Sequence, residues 1–312
     1  MRIILAGGTG FIGKALREKF LFAGHEVILL TRRRGSLEAQ GEARPHFRNV
    51  EIEKHWDGKN PGDWTSCLDG AGAVINLAGE NLASRRWTRS QKQRILLSRV
   101  DATRALVEAM GRVRQKPGLL INASAVGYYG DAKDLELTES SARGAGFLAE
   151  ICGQWETEAC KAERLGVRVV LARLGPVLGE KGGMLSKMLP PFRFFIGAPP
   201  GTGKQWISWI HREDVTGAFL FMLQYQDLSG PVNVTGPAPV TMTGFCSALA
   251  KILRRPSWPP IPPFLFKGLM GEMATIFLSS QKALPQKLLK AGYRFAHPGL
   301  PEALGSILGK SA

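Results

Sequence analysis

A glycine-rich turn lies near the start of the chain, between a strand-like and a helix-like segment. It follows the apolar run Arg2–Ala6 and reads Gly7-Gly8-Thr9-Gly10-Phe11-Ile12-Gly13. Glycines at this spacing permit a tight turn, a close backbone approach to a ligand and close packing of helix on strand. Amides at the N-terminus of the next helix then favour bound negative charge. In this strand–turn–helix context the turn predicts an N-terminal α/β domain that binds a dinucleotide pyrophosphate.

The first half of the chain alternates strand and helix patterns, which predicts a doubly wound parallel sheet with helices on both faces, a Rossmann fold. The predicted strands are Arg2–Ala6, Glu26–Thr31, a weaker Val50–Trp56, Ala73–Asn76, Leu119–Ser124 and Val167–Leu174. The predicted helices are Phe11–Ala23, Ser90–Gly111, Phe147–Leu165 and Glu213–Gln224.

Glycine and proline become dense after Leu174, which indicates excursions rather than regular crossovers. We therefore expect a dinucleotide-binding domain over 1–174, with its sheet completed by parts of 205–240. Residues 175–312 are expected to form mainly a substrate-side lobe and a helical tail. Helical segments are predicted there over Phe264–Leu278, Pro285–Ala291 and Leu300–Leu308.

The composition is that of a globular protein, since 44% of the 312 residues are hydrophobic. No apolar run is long enough for a transmembrane helix, and we expect no signal or transit peptide, since the first strand begins almost at Met1. The four cysteines contain no CxxC pair, so a reducing compartment is expected. We expect the cytoplasm, with the mitochondrial matrix or nucleus as alternatives. The oligomeric state stays open.

The net charge of +15 raises the question of nucleic-acid binding. Ten Lys or Arg and only two acids, Asp101 and Glu108, lie between Arg85 and Lys116. No nucleic-acid-binding motif accompanies them, so a solvated basic helix face is the favoured interpretation. The five histidines show no metal-ligand spacing, and no metal site is expected.

The end of the second predicted strand indicates which dinucleotide is bound. A carboxylate there would bond the ribose 2′-hydroxyl and repel a 2′-phosphate. The chain instead reads Thr31-Arg32-Arg33-Arg34, with no acid between Val27 and Gly35. Guanidinium groups pair well with phosphate. The sequence therefore favours NADP(H) over NAD(H), with Arg32 as the main contact and Thr31 and Arg33 in support.

Several further segments resemble the short-chain dehydrogenase/reductase superfamily of extended or atypical type. The matching segments are Asn76-Leu77-Ala78-Gly79, Ser124-Ala125-Val126-Gly127-Tyr128-Tyr129-Gly130, Arg173-Leu174-Gly175-Pro176-Val177-Leu178-Gly179 and Ile210-His211-Arg212-Glu213-Asp214-Val215. In the tail, Gly271-Glu272-Met273, Ser279-Ser280-Gln281-Lys282-Ala283-Leu284-Pro285 and Gly292-Tyr293-Arg294-Phe295 resemble the epimerase-family proteins of family 39U, also called cell-division-inhibitor-like.

The resemblance implies a Rossmann fold, bound NADP(H) and a set of contact residues. Asp57 matches the acid that usually reaches the adenine amine. Leu77, Ala78 and Gly79 match the segment lining the adenine and ribose, with Leu82 just beyond, and Ser124 is expected at the cofactor. No substrate follows from the resemblance beyond a small molecule.

Typical members of the superfamily use a Tyr as general acid and a Lys four residues later, which holds the nicotinamide ribose. Phe147 and Ile151 occupy those positions, and Ala125 occupies the usual Ser position. A phenyl ring cannot donate a proton. Two interpretations remain: an oxidoreductase that uses another acid, or a regulatory or redox-sensing protein that binds NADP(H) without turnover. Replacement acids would be sought among Tyr128, Tyr129, Glu150 and His211.

Overall fold

The computed structural model describes residues 1–32, 51–180 and 182–309, and its central feature is a seven-stranded parallel sheet. The strands are β1 (Arg2–Ala6), β2 (Glu26–Thr31), β3 (Glu51–His55), β4 (Ala73–Asn76), β5 (Leu119–Ala125), β6 (Glu136–Leu137), β7 (Arg168–Leu174), β8 (Val177–Gly179), β9 (Gly182–Gly183), β10 (Trp206–Ile207), β11 (Ile210–His211), β12 (Gly230–Val234), β13 (Val240–Thr241) and β14 (Lys282–Ala283). The helices are α1 (Phe11–Phe22), α2 (Arg89–Arg112), α3 (Phe147–Cys160), α4 (Leu185–Arg193), α5 (Arg212–Gln224), α6 (Met242–Leu253), α7 (Pro263–Met270), α8 (Thr275–Leu278), α9 (Gln286–Lys290) and α10 (Leu300–Leu308).

The order across the sheet is β12-β7-β5-β4-β1-β2-β3, and every neighbouring pair is parallel. In register, Ile3 pairs with Val27 on one side of β1 and with Ala73 on the other. Strand order reverses between β1 and β4, so a crevice opens there at the carboxyl ends of the strands. The predicted doubly wound α/β fold is confirmed, and the glycine turn follows β1 at this edge of the sheet.

Apolar side chains bury both faces of the sheet. On one face, Leu16 and Phe20 of α1 pack with Phe219 of α5. On the other, Leu106 of α2 and Ala159 of α3 share a core with the second set of strand side chains. Strands β1, β2, β4, β5 and β7 are therefore buried on both sides, which explains why they read as nearly continuous apolar runs.

A third apolar cluster holds a smaller lobe together. It includes Leu189 and Phe192 of α4, Phe245 and Leu249 of α6, and Leu304 of α10. The chain returns from this lobe to the main sheet, since β12 pairs with β7. The tail forms a separate two-stranded sheet, in which its strand β14 pairs with β6.

The predicted strands and helices lie close to their expected positions, with three differences, whereas α4 and α6 were not predicted. The weaker strand covers only Glu51–His55, and Val50 lies outside the described residues. The helix expected to reach Leu165 ends at Cys160 and continues as a 3-10 turn over Lys161–Leu165. The helix expected over Phe264–Leu278 is broken at Gly271, whose φ of 61° is incompatible with a continuous α-helix.

The basic stretch from Arg85 to Lys116 contains α2. Eight of its ten cations are exposed, whereas Lys92 and Arg99 are half-buried. Among the described residues, no helix combines the length and the apolar character that crossing a bilayer requires.

Candidate cofactor site

The glycine turn has the geometry that its sequence predicts. Gly7 has φ of 80°, and a Cβ there would lie 2.7 Å from the carbonyl carbon of Leu77. A Cβ on Gly13 would lie 2.4 Å from the Gly7 oxygen, so helix and turn pack too closely for any side chain. At Gly10, by contrast, a Cβ would meet only the Gly7 oxygen, at 3.4 Å. The surface beside Gly10 is therefore open, and it fits the pyrophosphate of a dinucleotide.

The N-terminus of α1 faces the same open side. Its N-cap is Gly10, no side chain caps it, and no acid lies in the first turn. Thr9 is exposed, whereas Ile12 is half-buried against the core. The first amides of a helix without such a cap can bond an anion.

Phe11 connects the turn to the smaller lobe. Its ring fills the space where side chains on Gly179 and Gly182 would lie. The Arg212 guanidinium lies over the opposite part of the ring, 5.3 Å from its centroid. Phe11 therefore fixes the turn by packing.

At the end of β2, Thr31 is buried and Arg32 is exposed. Arg32 Cδ lies 4.0 Å from where a Gly58 Cβ would stand, so its stem runs alongside the loop after β3. Arg33, the third predicted contact there, lies outside the described residues. The exposed guanidinium of Arg32 is thus available at the carboxyl edge of the sheet.

Asp57 lies in that same loop and is exposed. One carboxylate oxygen accepts the amides of Lys59 and Asn60, at 2.7 and 2.9 Å, and the other accepts the Asn60 side-chain amide at 2.8 Å. Bonding from the Asn60 amide, and then from that of Lys59, lowers the Asp57 pKa. The carboxylate orders this loop at the position expected for the adenine.

The segment after β4 passes directly over the glycine turn. Asn76 is fully buried: its Oδ1 accepts the Ala78 amide, and its Nδ2 donates to Asn122 Oδ1 at 2.7 Å. Leu77 packs against the core, and Gly79 lies against the side chain of Arg99. The path of this segment is therefore set by a buried polar network rather than by the apolar core alone.

The Asn76 network was missed by sequence reasoning. Thr103 Oγ1 accepts from Asn76 Nδ2 and from Trp155 Nε1, each at 2.9 Å. The Thr103 hydroxyl thus links β4 to α2 and α3. An asparagine at the same place in two neighbouring strands, Asn76 and Asn122, was the available signal.

The Ser124 side chain bonds within the protein. It is buried, and its hydroxyl donates to Glu156 Oε1 at 2.6 Å. The same carboxylate makes a two-pronged ion pair with Arg173, with both distances 2.8 Å. A contact between Ser124 and a cofactor stays a prediction.

The two candidate tyrosines belong to this buried ion-pair region. Tyr129 OH donates to Asn233 Oδ1 at 2.7 Å and accepts from Arg173 Nη1 at 3.0 Å. Burial raises its pKa despite the nearby guanidinium. This arrangement does not favour Tyr129 as a proton donor, because its hydroxyl is committed inside the protein.

Tyr128 is half-buried, with its ring centroid 3.5 Å from the Arg173 guanidinium carbon. It lines a cavity of about 610 Å³ together with Arg143, Glu156 and Lys161. None of the predicted cofactor contacts lines that cavity. The geometry therefore places Tyr128 on the α3 side of the sheet edge, apart from the glycine turn.

Phe147 and Ile151, in the first turns of α3, belong to an apolar cluster. Phe147 packs edge-on against Trp87, with ring centroids 5.1 Å apart. Ile151 is buried in the same cluster, beside Leu82 and the tail residue Met273. The tail residues Met270 and Met273 thus lie in the same cluster as Phe147 and Ile151.

Charged groups surround this cluster. Lys92 Nζ lies 4.9 Å from the Phe147 ring centroid and donates to Glu272 of the tail at 2.8 Å. Glu150 is exposed on the first turn of α3 and accepts from the Gln154 side chain. That setting favours a role for Glu150 in helix stabilisation.

His211 is the N-cap of α5, because its Nδ1 accepts the Glu213 amide at 3.1 Å. Burial, and then the nearby His297, lower its pKa to about 4. Ligand atoms of His211, Glu213 and His297 all lie within 4.8 Å of one another, close enough to hold a metal ion. No metal-ligand spacing in the sequence had indicated this cluster. The capping bond uses the Nδ1 lone pair and leaves Nε2 protonated, so helix capping accounts for His211.

Comparison with known proteins places the chain in a family. Residues 3–235 match the NAD dependent epimerase/dehydratase family, and residues 261–307 match a domain of unknown function, DUF1731. The chain belongs to the NAD dependent epimerase/dehydratase family. The resemblance seen in its motifs is thereby confirmed.

Full-length relatives support the assignment. An epimerase family protein SDR39U1 homolog of Arabidopsis thaliana, chloroplastic by name, is 37% identical over 99% of this chain and 87% of its own length. An epimerase family protein of Mycobacterium leprae is 40% identical over 97% of this chain and 94% of its own length. The crystal structure of human epimerase family protein SDR39U1 with NADPH has a TM-score of 0.85 at 30% identity and covers 99% of both chains.

More distant structures share the fold. MoeE5, solved with UDP-glucuronic acid and NAD, has a TM-score of 0.78 at 21% identity, with 99% of this chain and 98% of that chain covered. The fold is therefore shared with a protein that differs widely from this chain in sequence.

Proposed function

We propose that this chain is an NADP(H)-dependent oxidoreductase acting on a small organic substrate. The observation that carries the proposal is the glycine turn, which is open at Gly10 and closed at Gly7 and Gly13. The human relative solved with NADPH supports the choice of cofactor. When bound, the nicotinamide ring would supply hydride chemistry, and the protein would bind, orient and shield it.

The 2′-phosphate is assigned to the end of β2. Arg32 is exposed there, and the described part of the β2 end offers no carboxylate to repel a phosphate. Arg33 would join it. Thr31 would contribute through its backbone or hydroxyl, and Asp57 would shape the loop on the adenine side.

Ribose and pyrophosphate contacts are assigned to the turn and to the segment after β4. The α1 amides would hold the pyrophosphate, and Leu77, Ala78 and Gly79 would line the cofactor through their backbone. The nicotinamide end would then lie towards β4 and β5, near Leu82 and the start of α3.

The usual Tyr–Lys pair is replaced by Phe147 and Ile151 in our interpretation. Both side chains pack against Met273 or Trp87, in a cluster that would keep water from the nicotinamide. Lys92 is the charged group that lies beside the Phe147 ring, and Glu272 holds it there. We therefore assign substrate polarisation to Lys92.

The same packing also favours a second candidate, NADP(H) binding without turnover. Met270 and Met273 of the tail close over Phe147 and Ile151, as a protein that senses cofactor occupancy would require. In that case the tail would move on binding while no substrate is converted.

The test begins with equilibrium titration of NADPH and NADH against the wild type and Arg32→Ala. We expect NADPH to bind at least tenfold more tightly, a difference of about 1.4 kcal/mol. Arg32→Ala should abolish that preference, whereas exposed Arg112→Ala should preserve it. Absence of binding by either nucleotide would overturn both candidates.

NADPH oxidation is then followed at 340 nm with a panel of aldehydes and ketones, on the wild type and on Lys92→Met. Turnover that falls in Lys92→Met with unchanged NADPH affinity supports the oxidoreductase. Tight NADPH binding without turnover on any carbonyl, together with cofactor-dependent protection of the tail from proteolysis, supports the sensor instead.

A further inference from the structure

Most of the large apolar side chains that the fold leaves exposed come from two short segments after β9. Within residues 1–32, 51–180 and 182–309, twelve such side chains are exposed, and seven of them belong to the turn after α4 and to the segment 258–269. These seven form the apolar patch, and each is at least 51% exposed: Phe194, Phe195, Ile196, Trp258, Phe264, Leu265 and Leu269. Large apolar side chains exposed close together mark interaction surfaces, whereas single ones are ordinary.

Hydrogen bonds hold the two segments of the patch side by side. The Trp258 amide donates to the Gly197 carbonyl at 2.9 Å, and the indole Nε1 donates to the Phe195 carbonyl at 2.7 Å. The Ile261 amide then donates to the Pro199 carbonyl at 2.8 Å. Since α7 begins two residues after Ile261, its start lies close to the turn.

The exposed side chains of the patch contribute little to the packing of the fold. Phe195 has a φ of 64°, in the left-handed region that glycine adopts at lower cost. Its ring is 53% exposed, and the ring centroid lies 4.2 Å from the Arg255 guanidinium carbon. Helix α7 has no buried residue, and the half-buried Phe266 anchors it with a ring centroid 5.8 Å from that of Phe277.

Positive charge accompanies the patch, and the stretches that contain it have no acids. Residues 181–212 contain five Lys or Arg and residues 228–271 contain four, and neither stretch contains an Asp or Glu. Arg86 adds a cation from outside these stretches, because its Nη2 donates to the Leu269 carbonyl at 3.2 Å. The exposed cations that flank the patch residues in sequence are Arg193, Arg254, Arg255 and Lys267.

Apolar side chains interleaved with cations fit the surface of an anionic lipid bilayer. Aromatic and aliphatic side chains enter the boundary between headgroups and acyl chains, and neighbouring Lys and Arg bind anionic headgroups. A second copy of this chain fits less well, because a symmetric contact would place the cations of one patch against those of the other. A fluid bilayer also accommodates a turn and a short helix that project separately, without a matching pocket for each.

We propose that the apolar patch binds the surface of membranes that contain anionic lipids. Phe194, Trp258 and Phe264 enter the lipid interface, while the flanking Arg and Lys lie at the level of the headgroups. The contact is peripheral, since none of the described helices could cross a bilayer. This binding goes beyond the proposed oxidoreductase function and does not depend on it.

Cosedimentation with lipid vesicles measures the contact. Neutral vesicles contain phosphatidylcholine alone, and anionic vesicles contain equal parts of phosphatidylcholine and phosphatidylglycerol. The patch variant, Phe194→Ser/Phe264→Ser, replaces rings that are 76% and 71% exposed. Phe22→Ser is its matched control, because Phe22 is 80% exposed on α1, outside the patch.

A charge variant, Arg193→Gln/Lys267→Gln, removes two of the flanking cations. Arg112→Gln, at an exposed position at the end of α2, is its control. Circular dichroism and NADPH titration show whether each variant is folded. NADPH affinity should be the same in the patch variant and the wild type, so vesicle binding and cofactor binding can fail separately.

The wild type should bind anionic vesicles about tenfold more tightly than neutral vesicles, and NaCl should weaken that binding. The patch variant and the charge variant should each weaken binding to anionic vesicles by about tenfold. Neither control should weaken it by more than about twofold. If the patch variant does not fold, Phe194→Ser and Phe264→Ser are measured singly, and each should weaken binding by about threefold.

Absence of wild-type binding to anionic vesicles would overturn the proposal. Equal binding by the patch variant and the wild type would also overturn it, because the attraction would then be electrostatic alone. Two other occupants of the patch have their own signatures, and either result without vesicle binding refutes the membrane contact. A wild type that is dimeric in sedimentation equilibrium, with a monomeric patch variant, would assign the patch to a second copy. Binding to poly-glutamate would assign it to an acidic protein.

Discussion

The buried ion pair between Arg173 and Glu156 should be a major determinant of stability. The two side chains are 2% and 8% exposed, and two hydrogen bonds of 2.8 Å join them. Burial alone would lower the Arg173 pKa, but bonding to Glu156 outweighs it and raises that pKa above its usual value. Arg173→Met would leave the Glu156 carboxylate buried with only the Ser124 hydroxyl as a close partner.

Breaking one side of a buried pair costs about 3–5 kcal/mol, because an uncompensated charge remains. With a urea m value of about 3 kcal/mol/M, the unfolding midpoint should fall by about 1–1.7 M. Replacement of both partners by methionine removes the orphaned charge, so Arg173→Met/Glu156→Met should recover most of the loss.

Urea unfolding followed by circular dichroism measures three variants, namely Arg173→Met, Glu156→Met and the double variant. Arg104→Met is the control, since Arg104 is 46% exposed in its pair with Asp101 and should cost less than about 1 kcal/mol. The reasoning fails if Arg173→Met costs no more than this control. It also fails if the double variant loses the sum of the two single losses, since the partners would then be uncoupled.

Three further predictions concern other parts of the chain. Gly13→Ala should abolish NADPH binding, because its Cβ would lie 2.4 Å from the Gly7 oxygen. The control is Gly268→Ala, whose Cβ would meet nothing within 4 Å and should leave NADPH binding intact. Calorimetry on both variants tests this. The His211 pKa is lowered to about 4, so the folded state binds fewer protons and stability should decline as pH falls from about 6.5 to 4. His211→Asn should reduce the loss of unfolding free energy over this pH range by on the order of 1–2 kcal/mol, a value discounted for solvent screening. A pH profile of urea midpoints that is unchanged in this variant would refute the prediction. Burial raises the pKa of all four cysteine thiols, but Cys160 is half-buried while the other three are buried, so Ellman's reagent should modify one thiol before the others, and Cys160→Ser should remove that phase.

Local patterns were sufficient to predict the sheet and the glycine turn. The run Arg2–Ala6 must be buried on both faces, and the following glycines allow only a tight turn into α1. Helix boundaries were less predictable where no capping or helix-breaking residue marks the end. At Cys160, for example, the α-helix tightens into a 3-10 turn. The break at Gly271 depends on how the tail packs over α3, which periodicity does not contain.

Contacts between residues distant in sequence could not be predicted in the same way. Ser280 donates its amide to Asp131, 149 positions earlier, and so fixes the tail beside β6. The rings of His211 and His297 lie 3.8 Å apart between centroids, tilted by 42°, although 86 positions separate the two residues, which is why spacing rules gave no sign of their cluster. The sequence likewise placed Tyr129 near the cofactor, whereas its hydroxyl is held by Asn233, 104 positions later.

Arg173 and Arg99 show why charge balance in three dimensions separates two kinds of buried cation. Both were apparent in the sequence, one within a family motif and the other on a basic helix interpreted as a solvated face. Arg173 forms an ion pair with Glu156 and stacks on the Tyr128 ring, so its charge is compensated within the fold. Arg99 meets a glycine, an indole ring and one helix carbonyl at close range, and the Glu80 carboxylate acts on its charge from further away. Position in the sequence therefore does not distinguish a guanidinium paired directly with a carboxylate from one whose compensation is indirect, because that difference arises from the packing of β4, α2 and α3.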